Sequence, residues 1–328
     1  MTLKKINDGI YVDAQKIDKI KNLDAIIFDC DGVLIDVSNS YDLAIKKTVD
    51  FVANKIASIN KSSLVTTEMI DSFKKTGGFN DEVDVTYVMI LAAVASEKTG
   101  KNFSDLVFET AKNADQTGTK SVERYFDSIK IDLTDIKMKL VYPAKRFESP
   151  LSSIFDEIFY GTDLYIQLYK RSPKFFNGKG LIENDVVLVT KNLLDELRQR
   201  FGKKISIVTG RGVISARHSF KKLFDAFDLK NSRFLEDESR EMAKPNPQSL
   251  ISSIKGMSAS CSIFVGDSME DLIMAHKAVE SGNPTLFCGI YGTSKDHEAK
   301  RNFFEQKGAD MILESIHLLP KALNLVRA

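Results

Sequence analysis

Residues Ile26–Asp36 read IIFDCDGVLID, an apolar run that ends in two carboxylates one residue apart. Charge at the end of a buried segment is expensive unless something neutralises it. Any fold that accepts this stretch must therefore bury Ala25–Phe28 and deliver Asp29 and Asp31 together at an edge of the core. The run has strand length and no polar alternation, as expected of a parallel strand covered on both faces. Ile205–Val208 (ISIV), Ser262–Val265 (SIFV), Thr285–Cys288 (TLFC) and Asp310–Leu313 (DMIL) share that texture. Between them lie helical periods at Asn192–Phe201, Val213–Phe224 and Met269–Val279. Strands alternating with helices predict an α/β fold with a doubly wound parallel sheet.

The middle of the chain differs. Ala44, Ile45, Val49, Val52 and Ile56 fall on one helical face, and Val83–Ala95 and Val107–Ala114 also read as helices. Loop residues gather at Tyr142–Pro150 and Ser172–Gly180. The aromatic residues between Phe147 and Phe176 read as helix core. The expected organisation is an α/β domain from residues 1–37 and 181–328, interrupted by a mostly helical domain at 38–180.

Composition narrows the function classes. A formal net charge of +1 gives no basic patch for nucleic acid or an anionic membrane surface. The longest apolar run, Tyr87–Ala95, is too short to span a bilayer. The opening MTLKKINDGIYVD has no apolar signal stretch, so the expectation is a cytoplasmic protein. Three cysteines, Cys30, Cys261 and Cys288, sit apart in apolar contexts and read as buried packing residues. The four histidines show no metal-ligand spacing. Nothing in the pattern bears on oligomeric state.

Open α/β sheets bind ligands at the carboxyl edge of their strands. Asp29 and Asp31 follow the first strand, and Thr209-Gly210-Arg211-Gly212 follows the second. Gly266-Asp267-Ser268-Met269-Glu270-Asp271 follows the third, and Lys244-Pro245-Asn246-Pro247 precedes it, with Pro247 suited to the first position of a helix. Carboxylates crowded at one point raise one another's pKa unless a cation intervenes. Magnesium suits such an all-oxygen site. A carboxylate can then attack phosphorus, a second acid can move the proton, and Thr209 with Lys244 can hold the equatorial oxygens.

Together these segments resemble the haloacid dehalogenase superfamily, on DxDGV(L) at Asp29–Leu34, the strand ending in Thr209, the Lys244–Pro245 pair and GDxxxD at Asp267–Asp271. The four motifs stand in the family's order over residues 20–38 and 181–328. The resemblance implies a Rossmann-like core with a helical cap, and a phosphatase that uses Mg2+ and an aspartyl-phosphate. It implies Asp29 as nucleophile and metal ligand, and Asp31 as general acid/base that binds the metal through its carbonyl. Thr209, Gly210 and Lys244 would hold the phosphoryl group; Asp267 would bind metal and Asp271 would be an auxiliary ligand. It also implies a cap that closes over the core, with a loop dipping toward the site. The corresponding stretch here is Lys74–Glu82, from which Gly78, Phe79 and Asn80, together with Arg211 of the core, are candidate substrate contacts.

Each residue has a plainer role available. Asp267 and Asp271 suit the first turn of a helix, Lys244 alone suits a solvated surface, and Arg211 suits a salt bridge. Lys74–Glu82 also suits an ordinary turn between helices. Cys30 should point away from its two acidic neighbours. The expected reaction is hydrolysis of a small phosphorylated metabolite, such as a sugar phosphate, phosphoglycolate or a phosphorylated alcohol. A phosphomutase, a phosphonate-cleaving enzyme with a cap lysine, and a non-catalytic binding protein on the same scaffold stay open.

Overall fold

The apolar runs become the middle of one sheet. The computed structural model describes residues 3–59, 65–79, 81–145 and 147–325. Its strands are β1 (Leu3–Asn7), β2 (Ile10–Asp13), β3 (Ala25–Phe28), β4 (Ile35–Asp36), β5 (Val186–Val187), β6 (Ile205–Thr209), β7 (Arg233–Phe234), β8 (Ser262–Gly266), β9 (Thr285–Ile290) and β10 (Met311–Leu313). Eight of them form a sheet in the order β1-β2-β10-β9-β8-β3-β6-β7, and β4 pairs with β5. From β10 to β7 every neighbour is parallel. The hairpin β1–β2 adds antiparallel strands beside β10.

Both faces of β3 are buried, which is why its sequence does not alternate. Ala25 and Ile27 pack with Leu250, Ile254, Leu272 and Phe304. Ile26, Phe28 and Cys30 pack on the other face with Leu193, Leu197, Phe201 and Leu319. Each such apolar side chain contributes roughly 1.5–3 kcal/mol on burial. The helices between strands begin at side-chain caps: Thr190 accepts from the Leu193 N–H at the head of Lys191–Phe201, and Ser268 and Asp271 form a capping box for Met269–Glu280.

Three details differ from the sequence reading. The helix from Val213 stops at Phe220, where Lys221 turns to φ 52° and the chain continues as a 3-10 turn, Lys221–Ala226. Pro247 stands one place before the helix Gln248–Gly256 instead of inside it. The β1–β2 hairpin was not anticipated; its signal is Asp8-Gly9, with Gly9 at φ 70°.

Contacts divide the chain into two compact units, Met1–Val37 with Val186–Ala328, and Ser38–Asp185. The second unit is built around the helix Glu82–Thr99, in which Val85–Ala93 are all buried. Tyr41–Lys55 and Pro150–Tyr169 pack with it, and Tyr41 stacks on Phe159 at 4.5 Å. Gly161 breaks the latter helix at φ 71° because Gly180 crosses there; a Cβ on Gly161 would lie 2.1 Å from the Gly180 nitrogen. The buried Glu157 accepts from the backbone N–H groups of Lys174, Phe175 and Phe176 at 2.8, 2.5 and 2.9 Å, fixing the segment after the helix.

In the first unit Asp24 ties the entry of β3 to its neighbours. Its carboxylate accepts from the Ser260 and Cys261 N–H groups at 3.1 Å and pairs with Lys204 at 2.9 Å. Burial pushes its carboxyl up, but Lys204 and the two N–H groups outweigh that and hold it below its ordinary 3.8. Asp24→Ala should lower stability by about 1–3 kcal/mol at pH 7 in urea unfolding. Because the folded-state value is depressed, the contribution is present above pH 3.8 and fades as pH falls through the folded value. A wild type and variant equally stable at pH 7 would contradict this role.

Candidate active site

The parallel register delivers the acidic residues to one edge. Phe28 lies level with Val265 and with Ile207, so β3, β6 and β8 end side by side. The Asp29 N–H donates to the Val265 carbonyl at 2.9 Å, which extends the ladder one residue past the strand. Asp29, Asp267 and Asp271 each offer an oxygen within 4.8 Å of the others. Lys244 reaches between them: its ammonium lies 2.8 Å from Asp29 Oδ1 and 2.7 Å from Asp271 Oδ1. The other oxygen of Asp271 accepts from the Ser268 hydroxyl at 2.7 Å and from the N–H groups of Asp267 and Ser268 at 3.2 and 3.1 Å. Both oxygens of Asp271 are thus engaged by protein groups.

Two glycines permit this crowding. Gly32 has φ 72°, and a Cβ there would lie 2.4 Å from Asp267 Oδ2. A Cβ on Gly266 would lie 2.4 Å from that of Asp271.

Asp31 faces a different partner. The Arg211 Nε donates to Asp31 Oδ1 at 2.5 Å, and its Nη1 donates to the Ser219 hydroxyl at 2.9 Å. Arg211 is only 3% exposed. The sequence reading left Arg211 between a substrate contact and a surface salt bridge; it pairs with Asp31 and is buried, where a guanidinium requires a carboxylate. Thr209 is fully buried at the end of β6, and its hydroxyl accepts from the Arg211 N–H at 3.3 Å. Gly210 follows it, exposed and with open space where a side chain would stand. Glu236 and Asp237 accept from the N–H groups of Gly212 and Val213 at 3.0 and 2.6 Å, so the start of the helix Val213–Phe220 already holds anions of the chain's own.

Electrostatics follow from burial and crowding. Burial raises the Asp29 carboxyl to about 8 against the pull of Lys244, and Asp271, Asp31 and Asp267 add to the rise. Burial also raises Asp267 against Lys300, with Asp271 adding to it. Lys244 is raised despite its burial, because Asp271 and Asp29 hold its proton. Burial, with Asp29 and Asp31 beside it, lifts the Cys30 thiol well above its ordinary value, so Cys30 is a packing residue and no thiolate.

A model of the haloacid dehalogenase-like hydrolases matches residues 23–278. The chain belongs to this family. Phosphatase Tt82 from Thermococcus thioreducens shares the fold, with TM-score 0.58 and 21% identity over 85% of this chain and 98% of that one. An imidazoleglycerol-phosphate dehydratase of Phytophthora nicotianae is 30% identical over 147 residues, 42% of this chain and 31% of that protein. The chain therefore spans under a third of the length of the curated relative it matches.

Family members of this kind use a divalent cation, and the donor set fits one. Three buried or half-buried carboxylates converge within 4.8 Å, and burial, with neighbouring carboxylates adding to it, raises Asp29 and Asp267 against the lysines beside them. All donors are oxygens, as magnesium prefers.

The loop Lys74–Glu82 gives a different picture from the one expected. Phe79 is fully buried and its ring meets Phe73 edge-on at 5.1 Å, so it is core and not a substrate contact. Gly78 lacks a side chain because the chain itself approaches: a Cβ would lie 2.3 Å from the Asp115 carbonyl oxygen. Asn80 lies outside the described residues. Lys74 pairs with Glu82 at 3.3 Å. Burial favours losing its proton, but Glu82 and Asp42 outweigh it and hold the ammonium charged, the reverse of what imine chemistry needs.

Two residues of this edge escaped the sequence reading. Thr293 donates its hydroxyl to the Gly32 carbonyl at 2.7 Å, and Lys300 lies 3.4 Å from Asp267 Oδ2. Both follow β9, and asking what lies beyond its carboxyl end would have found them.

Lys244→Met leaves two buried carboxylates without their shared cation. It should cost about 3–5 kcal/mol in urea unfolding at pH 7. An unchanged midpoint would mean that Lys244 does not hold this edge together.

Proposed function

We propose that the chain is a magnesium-dependent phosphomonoesterase that acts on a small phosphorylated metabolite. The observation that carries the reading is Lys244 set between Asp29 and Asp271, with Asp267 in reach, at the carboxyl edge of a parallel sheet. Membership of a hydrolase family whose motifs these residues match supports it.

In this reading Asp29 is the nucleophile. Its free oxygen attacks phosphorus, the bond from phosphorus to the ester oxygen breaks, and the leaving oxygen takes a proton from Asp31. Asp31 then accepts a proton from water as that water attacks the phosphoryl group, which releases inorganic phosphate and restores Asp29. Thr209 and the Gly210 N–H hold the phosphoryl oxygens, and Lys244 neutralises nucleophile and phosphate together. Asp29, the Asp31 carbonyl and Asp267 would hold Mg2+, which supplies positive charge for the phosphoryl oxygens when bound. We assign Asp271 to placing Lys244 and Asp267, since its oxygens are already engaged. Arg211 positions Asp31. We assign substrate choice to the helical unit, as a cap domain.

Phosphate release from a broad panel of phosphorylated metabolites tests this, with and without Mg2+. Wild type should release phosphate only with the metal, EDTA should stop it reversibly, and Asp29→Asn should abolish it. Asp31→Asn should slow both formation and hydrolysis of the phosphoenzyme by about 10²–10⁴-fold. Indifference to chelation, or activity retained in Asp29→Asn, would refute the mechanism. A phosphoenzyme that passes its group to a sugar instead of water would make the chain a mutase.

A further inference from the structure

Lysine and arginine side chains contact each of the four carboxylates at the sheet edge. Lys244 contacts Asp29 and Asp271, Arg211 contacts Asp31, and Lys300 contacts Asp267. Arg211 is buried and also bonds Ser219, and Lys244, with 10% of its side chain exposed, bridges two carboxylates. Lys300 differs. Its side chain is 25% exposed, and its contact with Asp267 is the longest of the set at 3.4 Å.

Its position is nonetheless built. The helix His297–Lys307 starts at Asp296, whose Oδ1 accepts from the Ala299 N–H at 2.9 Å. One turn on, the Lys300 ammonium lies 5.6 Å from the centroid of the fully buried Phe304 ring. The ammonium thus lies over the aromatic ring and near Asp267, and at 25% side-chain exposure it is close enough to water to leave the carboxylate. A divalent cation drawn to Asp267 meets that ammonium within a few ångströms and is repelled by it.

Resting on the reading of Asp267 as a metal ligand, we propose that Lys300 is a resident counter-ion: it occupies Asp267 until Mg2+ displaces it, and so weakens the protein's affinity for the metal. Without metal it neutralises a crowded carboxylate. With metal it swings to solvent. This device lies on the loop and helix after β9, outside the four motifs.

Calorimetric titration of MgCl2 into the full chain tests this without reference to turnover, using wild type, Lys300→Met, Lys300→Arg and Asp267→Asn. Methionine keeps an unbranched side chain of similar length and removes the charge. Lys300→Met should bind Mg2+ about tenfold more tightly than wild type. Lys300→Arg should bind no more tightly than wild type, and Asp267→Asn should lose the binding. Equal or weaker affinity in Lys300→Met overturns the counter-ion role while leaving the metal site intact. Binding in Asp267→Asn that matches wild type, or no binding in any of the proteins, overturns the metal reading itself and the counter-ion role with it.

Discussion

The contact of Lys244 with Asp29 and Asp271 joins three segments distant in sequence. Asp29 ends β3, Asp271 lies in the helix after β8, and Lys244 comes from the stretch after β7. None of these charges would be stable alone in a buried setting, since an unpaired buried ion costs several kcal/mol. Together they neutralise one another in part and fix a geometry. The opposite oxygen of Asp271 caps the helix Met269–Glu280 and receives the Asp267 N–H. One lysine thus sets the nucleophile candidate, the start of a helix and, through that helix, the second metal-ligand candidate.

The sheet makes this meeting possible. With β3 between β6 and β8 and all three parallel, residues that follow each strand emerge at the same edge. Alternation along β3 does the rest: Cys30 turns into the core beside Ile26 and Phe28, while Asp29 and Asp31 take the other directions. Glycines at 32 and 266 remove the side chains that would hold Asp267 and Asp271 away. Charge, strand direction and the absence of Cβ atoms act on the same few ångströms.

The parts of this arrangement that obey local rules were legible in the sequence. The strand Ala25–Phe28 was read with its observed bounds, since burial on both faces leaves an unmistakable apolar run. The grouping of Asp29, Asp267 and Lys244 followed from parallel topology and motif order. What stayed hidden depends on tertiary neighbours. Phe79 and Gly78 carry the composition of a ligand loop, yet Phe73 and the Asp115 backbone occupy the space they face. Arg211 follows Thr209 and Gly210 in sequence, and only its burial and its contact reveal that it pairs with Asp31. Lys300 belongs to no motif, and its role exists only because the helix after β9 runs alongside the acidic edge.

Arg211 also explains how two aspartates, two residues apart and on one side of a strand, can take different parts. Asp29 shares Lys244 with another acid, and burial, with the neighbouring carboxylates adding to it, raises its carboxyl. Asp31 is 29% exposed in its side chain and pairs with a guanidinium that is itself anchored on Ser219. Two carboxyl groups with the same intrinsic chemistry are thus given different partners, a shared lysine for one and a guanidinium for the other. Under the proposed roles, the buried arginine two residues past Thr209 ties the TGRG turn after β6 to Asp31 as well as to the phosphoryl group.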